Sequence, residues 1–325
     1  MSHERLIDWH AHLFPPQLVK ALSARTAPPI VEERDGRVFL QSRPGGEPIS
    51  TSPSLLSVER RIAELDAARV DAQILSVAGL MGVDSVDDDS VHTLTAATNA
   101  GLASIVADNP DRFGGFASLP LRDVARAADV LEQAVRDQGL LGAILPTTAF
   151  ADLSTAERFR PLVERAASLS ATLFIHPGTL PGAPAAPAPQ TQLDRLRQST
   201  AGIQNGITDA AITFELSDYL DGLEAATILV ANVGGNLAHL AGRWAHTEER
   251  LGIEPHWDGK LRRIHVDTSS LGERAIRYAA DIFGADRLRF GTDSPIYPLA
   301  EPAAAARRLG IGFTPSASGP LAWAA

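Results

Sequence analysis

Apolar stretches alternate with helix-like stretches along most of the chain. The first apolar stretch starts at Leu6 and runs into a His-x-His sequence, and further ones predict strands over residues 72–77, 113–119, 142–145, 172–175, 227–231, 264–266 and 288–290. Each is followed by a segment with apolar residues at helical spacing, such as the one from Ser54 to Arg69. Eight strands of this kind, several of them nearly continuous apolar runs, predict a parallel sheet closed as a (β/α)8 TIM barrel of the α/β class.

A doubly wound sheet is the alternative arrangement of such strands. No dinucleotide-type glycine fingerprint follows the first strand, and the sequence has no phosphate loop, so this alternative lacks its usual support. Residues 30–52 are rich in proline and glycine and include Asp35-Gly36, which predicts a hairpin turn in a small insertion after the first strand. No domain boundary is evident, and we expect residues 1–325 to form a single domain.

The composition of the chain indicates which classes of partner it can bind. The chain has 325 residues, 45% of them hydrophobic, and a formal net charge of -10, which argues against a nucleic-acid or anionic-membrane surface and favours small-molecule partners. It has no cysteine, so any metal must be held by His, Asp or Glu. It begins without a signal-like segment and has no apolar run long enough to cross a bilayer, so we expect a cytoplasmic protein.

Metal-ligating residue types stand at the ends of three predicted strands. His10 and His12 end the first strand, where residues two apart point to the same side, while His176 follows the fifth strand and Asp293 the eighth. Active sites of such barrels lie at the carboxyl ends of the strands. The four side chains predict a site for one divalent ion, Zn²⁺ first and Mn²⁺ as the alternative, with a position open to water or substrate. Asp8, two residues before His10, either supports these ligands or serves in capping or packing.

Four segments carry a resemblance to a known family: Ile7-Asp8-Trp9-His10-Ala11-His12, Phe113-Gly114-Gly115-Phe116-Ala117-Ser118-Leu119-Pro120, Phe174-Ile175-His176-Pro177 and Phe290-Gly291-Thr292-Asp293-Ser294-Pro295. They resemble the amidohydrolase superfamily of metal-dependent barrels. Within it, they are similar to the branch of aminocarboxymuconate semialdehyde decarboxylase, which also contains enzymes acting on 6-methylsalicylate and γ-resorcylate. The resemblance runs from about Leu6 to Glu301 and implies a metal-dependent enzyme.

The end of the fourth strand bears on the number of metal ions. Binuclear members of the superfamily bridge two metals there with a carboxylated lysine or a glutamate, whereas this chain has Leu145-Pro146-Thr147-Thr148. Its two lysines are Lys20 and Lys260, neither of them at this point. The resemblance therefore implies a mononuclear site, with Asp293 as both a metal ligand and the catalytic proton carrier.

The end of the sixth strand departs from the family pattern. Relatives have a catalytic histidine there, and this chain has Asn232, whose amide can orient a substrate but cannot carry a proton at neutral pH. His239 is a candidate replacement base, with a helix-surface histidine as the other interpretation. It lies four residues before Arg243, which matches a family residue that reaches across a dimer interface to a substrate carboxylate. Arg243 is thus a candidate catalytic and substrate-binding residue, and it implies a homodimer.

Two further positions are candidate substrate contacts. Asp267 follows His265 on the seventh strand, where relatives have an Asp-Thr or Asp-Ser sequence near the substrate, although packing also explains the pair. Arg43, or alternatively Arg37, in the insertion offers a second positive charge for a carboxylate, or is a solvated surface charge.

Three functions remain open. The first is non-oxidative decarboxylation of a small aromatic or unsaturated carboxylic acid, which the resemblance implies. The second is hydrolysis or cyclodehydration at a carbonyl of an aromatic acid derivative, with the metal as Lewis acid, which the Asn232 departure favours. The third is a metal-binding protein without catalysis, against which the four retained ligands argue.

Overall fold

A computed structural model describes residues 4–81, 83, 85–183, 189–254, 261–269 and 272–315. Its strands are β1 (Glu4–His12), β2 (Ile30–Arg34), β3 (Arg37–Gln41), β4 (Ile49–Ser50), β5 (Ala72–Ser76), β6 (Phe113–Ala117), β7 (Gly142–Pro146), β8 (Thr172–His176), β9 (Thr227–Val230), β10 (His265–Asp267), β11 (Leu288–Arg289) and β12 (Phe313–Pro315). Its helices are α1 (Pro16–Ser23), α2 (Val58–Ala68), α3 (Ser90–Asp108), α4 (Val124–Arg136), α5 (Leu153–Ser168), α6 (Gln192–Arg197), α7 (Ile203–Glu215), α8 (Leu237–Leu251), α9 (Gly272–Phe283) and α10 (Ala300–Leu309). No helix in these ranges is both long and apolar enough to cross a membrane.

Eight parallel strands form a nearly closed barrel. The sheet order is β11-β10-β9-β8-β7-β6-β5-β1-β12, with β12 antiparallel to β1 and the other neighbours parallel. The seam between the first and last barrel strands is joined by backbone hydrogen bonds, from Trp9 N–H to the Phe290 carbonyl and from Asp293 N–H to the His10 carbonyl, both at 2.8 Å. The predicted (β/α)8 barrel is confirmed, and the open doubly wound sheet was the wrong alternative.

The interior of the barrel explains the apolar strand sequences. Every residue of β5, β6, β7 and β8 is buried, because one side faces the barrel interior and the other faces the helices. Aromatic rings pack inside the barrel, with Phe116 and Phe174 centroids 5.6 Å apart. The His10 ring lies 4.9 Å from Phe174, so these rings support the layer of polar side chains at the strand ends.

The predicted insertion after the first barrel strand is a small antiparallel sheet of order β2-β3-β4. Its first turn is at Asp35 and Gly36, whose φ values of 50° and 70° are those of a tight hairpin turn, as the sequence predicts. Val31 and Leu40 of this sheet belong to a second cluster of buried apolar residues, which also contains Phe14.

Candidate metal centre and substrate cavity

Four side chains from three strand ends meet at one point. His10 and His12 end β1, His176 ends β8, and Asp293 lies in the chain after β11. Their potential ligand atoms all lie within 4.8 Å of one another, and the three histidines are buried. Asp293 Oδ1 is 3.4 Å from His10 Nε2 and 3.2 Å from His12 Nε2. The structure thus brings together the four residues that the sequence singles out.

Hydrogen bonds on the far nitrogen orient each imidazole. Nδ1 of His10 lies 2.8 Å from Asp267 Oδ2, Nδ1 of His12 lies 3.1 Å from Ser76 Oγ, and Nδ1 of His176 lies 2.9 Å from the Pro177 carbonyl. A carboxylate or carbonyl can only accept, so Nδ1 of His10 and His176 carries the hydrogen and Nε2 keeps its lone pair when the ring is neutral.

The donor set fits a divalent ion. Nε2 of His10 and of His12 is buried without a hydrogen-bond partner among the described residues, and such an atom is costly unless a ligand satisfies it. Three imidazoles and one carboxylate are ligands that Zn²⁺ and similar ions accept. Asp293, His10, His12 and His176 are therefore the residues that could hold one ion.

Charges within the cluster shift its pKa values. Burial alone would raise the pKa of Asp293, but the imidazoles of His10 and His12 hold it well below its usual range. Burial also opposes a charge on His10, yet Asp267 and Asp293 outweigh it and raise its pKa to about 10. Burial lowers the pKa of His12 and of His176. At neutral pH the metal-free cluster therefore contains an ionised Asp293 and a positively charged His10 that carries a second ring proton.

A cavity of about 310 Å³ opens onto the cluster. Its lining residues are His12, Ala78, Met81, His176, Pro177, Ser199, Thr200, Ile203, Gln204, Asn232, Asp293, Ile296 and Tyr297. None of them is Lys or Arg, so within the described part of this chain the lining carries no permanent positive charge of its own. The cavity has the size and mixed polarity of a small-molecule site.

The structure places Asn232 in the cavity wall and Asp267 behind His10. Asn232 has a left-handed backbone, with φ of 51°, and its Oδ1 accepts a hydrogen bond from Ser269 Oγ at 2.6 Å. Asp267 is completely buried and is not among the lining residues; its Oδ1 accepts hydrogen bonds from the backbone N–H groups of Asn232 and Ser269. Asp267 thus connects His10 with the cavity wall.

Comparison with known families adds to this geometry. A family model described as amidohydrolase matches residues 7–314, nearly the whole chain. The chain belongs to the amidohydrolase family.

Individual relatives of this chain are decarboxylases. The γ-resorcylate decarboxylase of Rhizobium radiobacter is 25% identical over 260 residues, which cover 73% of this chain and 76% of the relative. The 2-amino-3-carboxymuconate-6-semialdehyde decarboxylase of Dictyostelium discoideum is 26% identical over 251 residues, 74% of this chain and 67% of the relative. A solved dihydroxybenzoic acid decarboxylase of Polaromonas sp. JS666, with bound manganese and the inhibitor 2-nitroresorcinol, has a TM-score of 0.67 at 22% identity and covers 95% of each chain.

Three other candidate residues lie away from the cluster in this chain. Arg243 is exposed and lines a separate, largely apolar cavity of about 410 Å³ beside Trp244. His239 is exposed and stacks on Tyr278, with ring centroids 4.5 Å apart. Arg43 is exposed in the insertion. None of the three lines the cavity at the metal ligands.

Two features of the cavity are not predicted from the sequence. A π-helical turn over Gln198–Gly202 joins α6 to α7, and Ser199 and Thr200 of this turn line the cavity. Gln204 follows it on α7, and its Oε1 is buried without a hydrogen-bond partner in the described structure. No pattern in the sequence marks Gln204, because a single polar residue in a helix is ordinarily solvated.

Proposed function

We propose that this protein is a metal-dependent lyase that removes CO2 from a small aromatic or unsaturated carboxylic acid without oxidation. The observation that carries the proposal is the cluster of His10, His12, His176 and Asp293 beside a small cavity, in which Nε2 of His10 and of His12 has no hydrogen-bond partner among the described residues. The decarboxylases among its relatives support the same reaction. We assign one divalent ion to the cluster, Zn²⁺ first because of the histidine-rich donor set and Mn²⁺ second because the Polaromonas neighbour carries it.

The roles of the chain's own residues follow from charge. A divalent ion held by the cluster would supply Lewis acidity toward the substrate carboxylate and a neighbouring oxygen. Asp293 is ionised, so it first accepts a proton, from water or from a substrate hydroxyl, and then delivers it to the carbon that loses CO2. The carbon–carbon bond breaks as that carbon gains the proton, and CO2 leaves. Asn232 orients the substrate by hydrogen bonding, since its amide cannot move a proton.

Asn232 also supports a second candidate function. Asn232 lines the cavity at the position where the family resemblance implies a proton-transferring histidine, which favours a reaction that needs one carrier, Asp293, rather than two. Hydrolysis or cyclodehydration at a carbonyl of an aromatic acid derivative meets this condition.

A homodimer and a cytoplasmic location stay predictions from the sequence. If Arg243 serves a substrate carboxylate, it does so in the cavity of a partner chain, because it lies outside the cavity of its own chain. Light scattering tests the dimer, and a monomer would remove this role from Arg243.

Product analysis decides between the two reactions. The chain, loaded with Zn²⁺ or Mn²⁺, is incubated with hydroxy- and aminobenzoates and, separately, with aryl esters and amides. We expect CO2 release from a member of the first panel, loss of activity on chelation, and recovery on readdition of the ion. Turnover of the second panel without CO2 would replace decarboxylation by the second function.

Substitution of two of the four candidate metal ligands tests the site itself. His176→Ala and Asp293→Ala are expected to lose both activity and the single bound ion, measured by elemental analysis. The exposed His92→Ala is the control and should retain both. Activity that survives complete metal removal would contradict both reactions.

A further inference from the structure

Five buried side chains form a closed ring of hydrogen bonds beside the metal ligands. Arg61 Nη1 donates to Ser294 Oγ at 2.7 Å and to Gln73 Oε1 at 3.5 Å. Gln73 Nε2 donates to Asp8 Oδ2 at 2.7 Å, and so does Thr292 Oγ1 at 2.6 Å. The Ser294 N–H donates to Thr292 Oγ1 at 3.1 Å and completes the ring. All five side chains are at most 2% exposed.

The ring encloses the chain segment that carries Asp293. Thr292 and Ser294, its two chain neighbours, are both members, so the ring holds the backbone on either side of the carboxylate. The ring also contacts β1, the strand that carries His10 and His12. Asp8 Oδ1 accepts from the His10 N–H at 3.1 Å, and Arg61 Nη2 donates to the His12 carbonyl at 2.9 Å.

Two features of this region are unfavourable in isolation. Asp293 has φ of 60°, a left-handed conformation that is uncommon for residues other than glycine and costs less for Asp than for most of them. Arg61 is completely buried and makes no direct ion pair with a described carboxylate, although the charges of Asp8 and Glu64 act on it. A buried guanidinium whose direct partners are neutral oxygen atoms is expected where its hydrogen bonds perform a task that an apolar side chain could not.

We propose that the ring of Asp8, Gln73, Arg61, Thr292 and Ser294 positions Asp293 against His10 and His12, and so determines how tightly the site binds its ion. The inference rests on the proposed metal site. The five residues are positioning residues, since none of them belongs to the ligand cluster.

Closing the barrel seam is the competing role, and metal affinity separates the two. A ring that only joins β1 to the end of β11 would change the stability of the fold and leave the ligand geometry of the folded protein intact. A ring that positions Asp293 changes the dissociation constant of the ion even where the variant is fully folded. The dissociation constant is therefore the readout, measured well below the Tm of each variant.

Two substitutions each remove one hydroxyl from the ring. Ser294→Ala deletes the acceptor for Arg61, and Thr292→Val deletes the link between Asp8 and the Ser294 N–H while keeping the shape of the side chain. Ser118→Ala is the matched control, because Ser118 is equally buried in the barrel and its hydroxyl has no hydrogen-bond partner among the described residues.

Zn²⁺ and Co²⁺ dissociation constants are measured by competition with a chelator, with circular dichroism to establish folding. We expect each ring variant to bind about tenfold or more weakly than the starting protein, with a changed visible spectrum of bound Co²⁺, and Ser118→Ala to bind equally well. Arg61→Lys should recover part of the affinity that Arg61→Met loses, provided both fold.

The outcomes are distinct from those of the proposed function. Folded Ser294→Ala and Thr292→Val proteins with unchanged dissociation constants would overturn the ring's role while leaving the metal site and decarboxylation untouched. A starting protein that binds no divalent ion would overturn the proposed function itself, and the ring's role with it.

Discussion

His10 Nδ1 lies 2.8 Å from Asp267 Oδ2, and both side chains are almost completely excluded from solvent. The carboxylate keeps the hydrogen of the neutral ring on Nδ1, so Nε2 faces Asp293 and His12 as a potential ligand. A carboxylate on the far nitrogen of a ligating histidine fixes the ring and makes it a better donor. Asp267 is also held by Ser269, which ties the ligand to the wall that carries Asn232.

Removing the charge of Asp267 should weaken metal binding. In Asp267→Asn the negative charge is lost, and the single amide oxygen cannot accept both from His10 Nδ1 and from the backbone N–H groups of Asn232 and Ser269, so we expect a 10- to 100-fold higher dissociation constant for the ion. The control is Asp71→Asn, which changes a carboxylate that accepts from the Leu6 N–H away from the cluster. An Asp267→Asn protein that binds as tightly as the starting chain would show that the pair does not act on the metal.

Metal affinity should rise with pH. Because the pKa of His10 is raised to about 10 in the metal-free cluster, an incoming ion displaces one proton from it at neutral pH. The pKa values of His12 and His176 are lowered, so they add no proton above about pH 6.5. The affinity should therefore increase about tenfold per pH unit between about pH 6.5 and 9.

Calorimetry in buffers of different ionisation enthalpy measures this proton release directly. Asp267→Asn should release less than the starting protein, since the pKa of His10 falls when its first carboxylate partner becomes neutral. Affinity that is flat over this range would show that His10 is already neutral without the ion.

The four candidate metal ligands can be predicted from the sequence, because each one stands directly beside a recognisable strand end. An apolar strand followed by His or Asp marks a strand end, and barrel topology brings all strand ends to one face. The partners of those ligands carry no such signal. Asp267 is 257 positions from His10, and only the closed seam between β1 and the end of β11 brings them together. Its sequence context predicts a substrate contact, whereas in the structure it lies behind His10 and does not line the cavity.

The burial of Arg61 also could not be predicted from the sequence. In the sequence it is one charged residue among several in an amphipathic helix, and such residues are ordinarily solvated. Its burial depends on hydrogen bonds to Ser294 and to the His12 carbonyl, two partners that are far apart in the sequence. No period or spacing in α2 contains that information.

Replacing Asn232 with histidine should introduce a new titration into catalysis. Histidine ionises near neutral pH, and this position faces the cavity beside Asp293. We expect the pH profile of kcat for Asn232→His to gain an inflection between about pH 5.5 and 7.5 that is absent from the starting protein and from Asn232→Ala. Identical profiles for all three proteins would mean that this position takes no part in proton transfer.

Gln204 should contribute to substrate binding. Its buried Oε1 has no donor among the described residues, and a substrate hydroxyl or amino group in the cavity could supply one. We expect Gln204→Leu to raise KM by about tenfold for such a substrate and to leave kcat nearly unchanged, which steady-state kinetics measures. Gln198→Leu on the same helical segment, outside the cavity lining, is the control. Equal KM values for both variants would remove Gln204 from substrate recognition.

His265 should make the fold sensitive to acid. Burial, with Arg289 and Arg287 nearby, lowers its pKa from 6.5 to about 4, and its buried Nδ1 has no described hydrogen-bond partner. The unfolded chain takes up a proton below about pH 6.5, whereas the folded protein does not until about pH 4. The contribution of neutral His265 to stability is therefore complete above about pH 6.5 and is lost as the pH falls toward 4, by up to about 3 kcal/mol.

His265→Gln should flatten the fall in Tm between pH 7 and pH 4.5 measured on metal-free protein, and the exposed His92→Gln should not. Equal acid sensitivity of the two variants would show that His265 is charged in the folded protein.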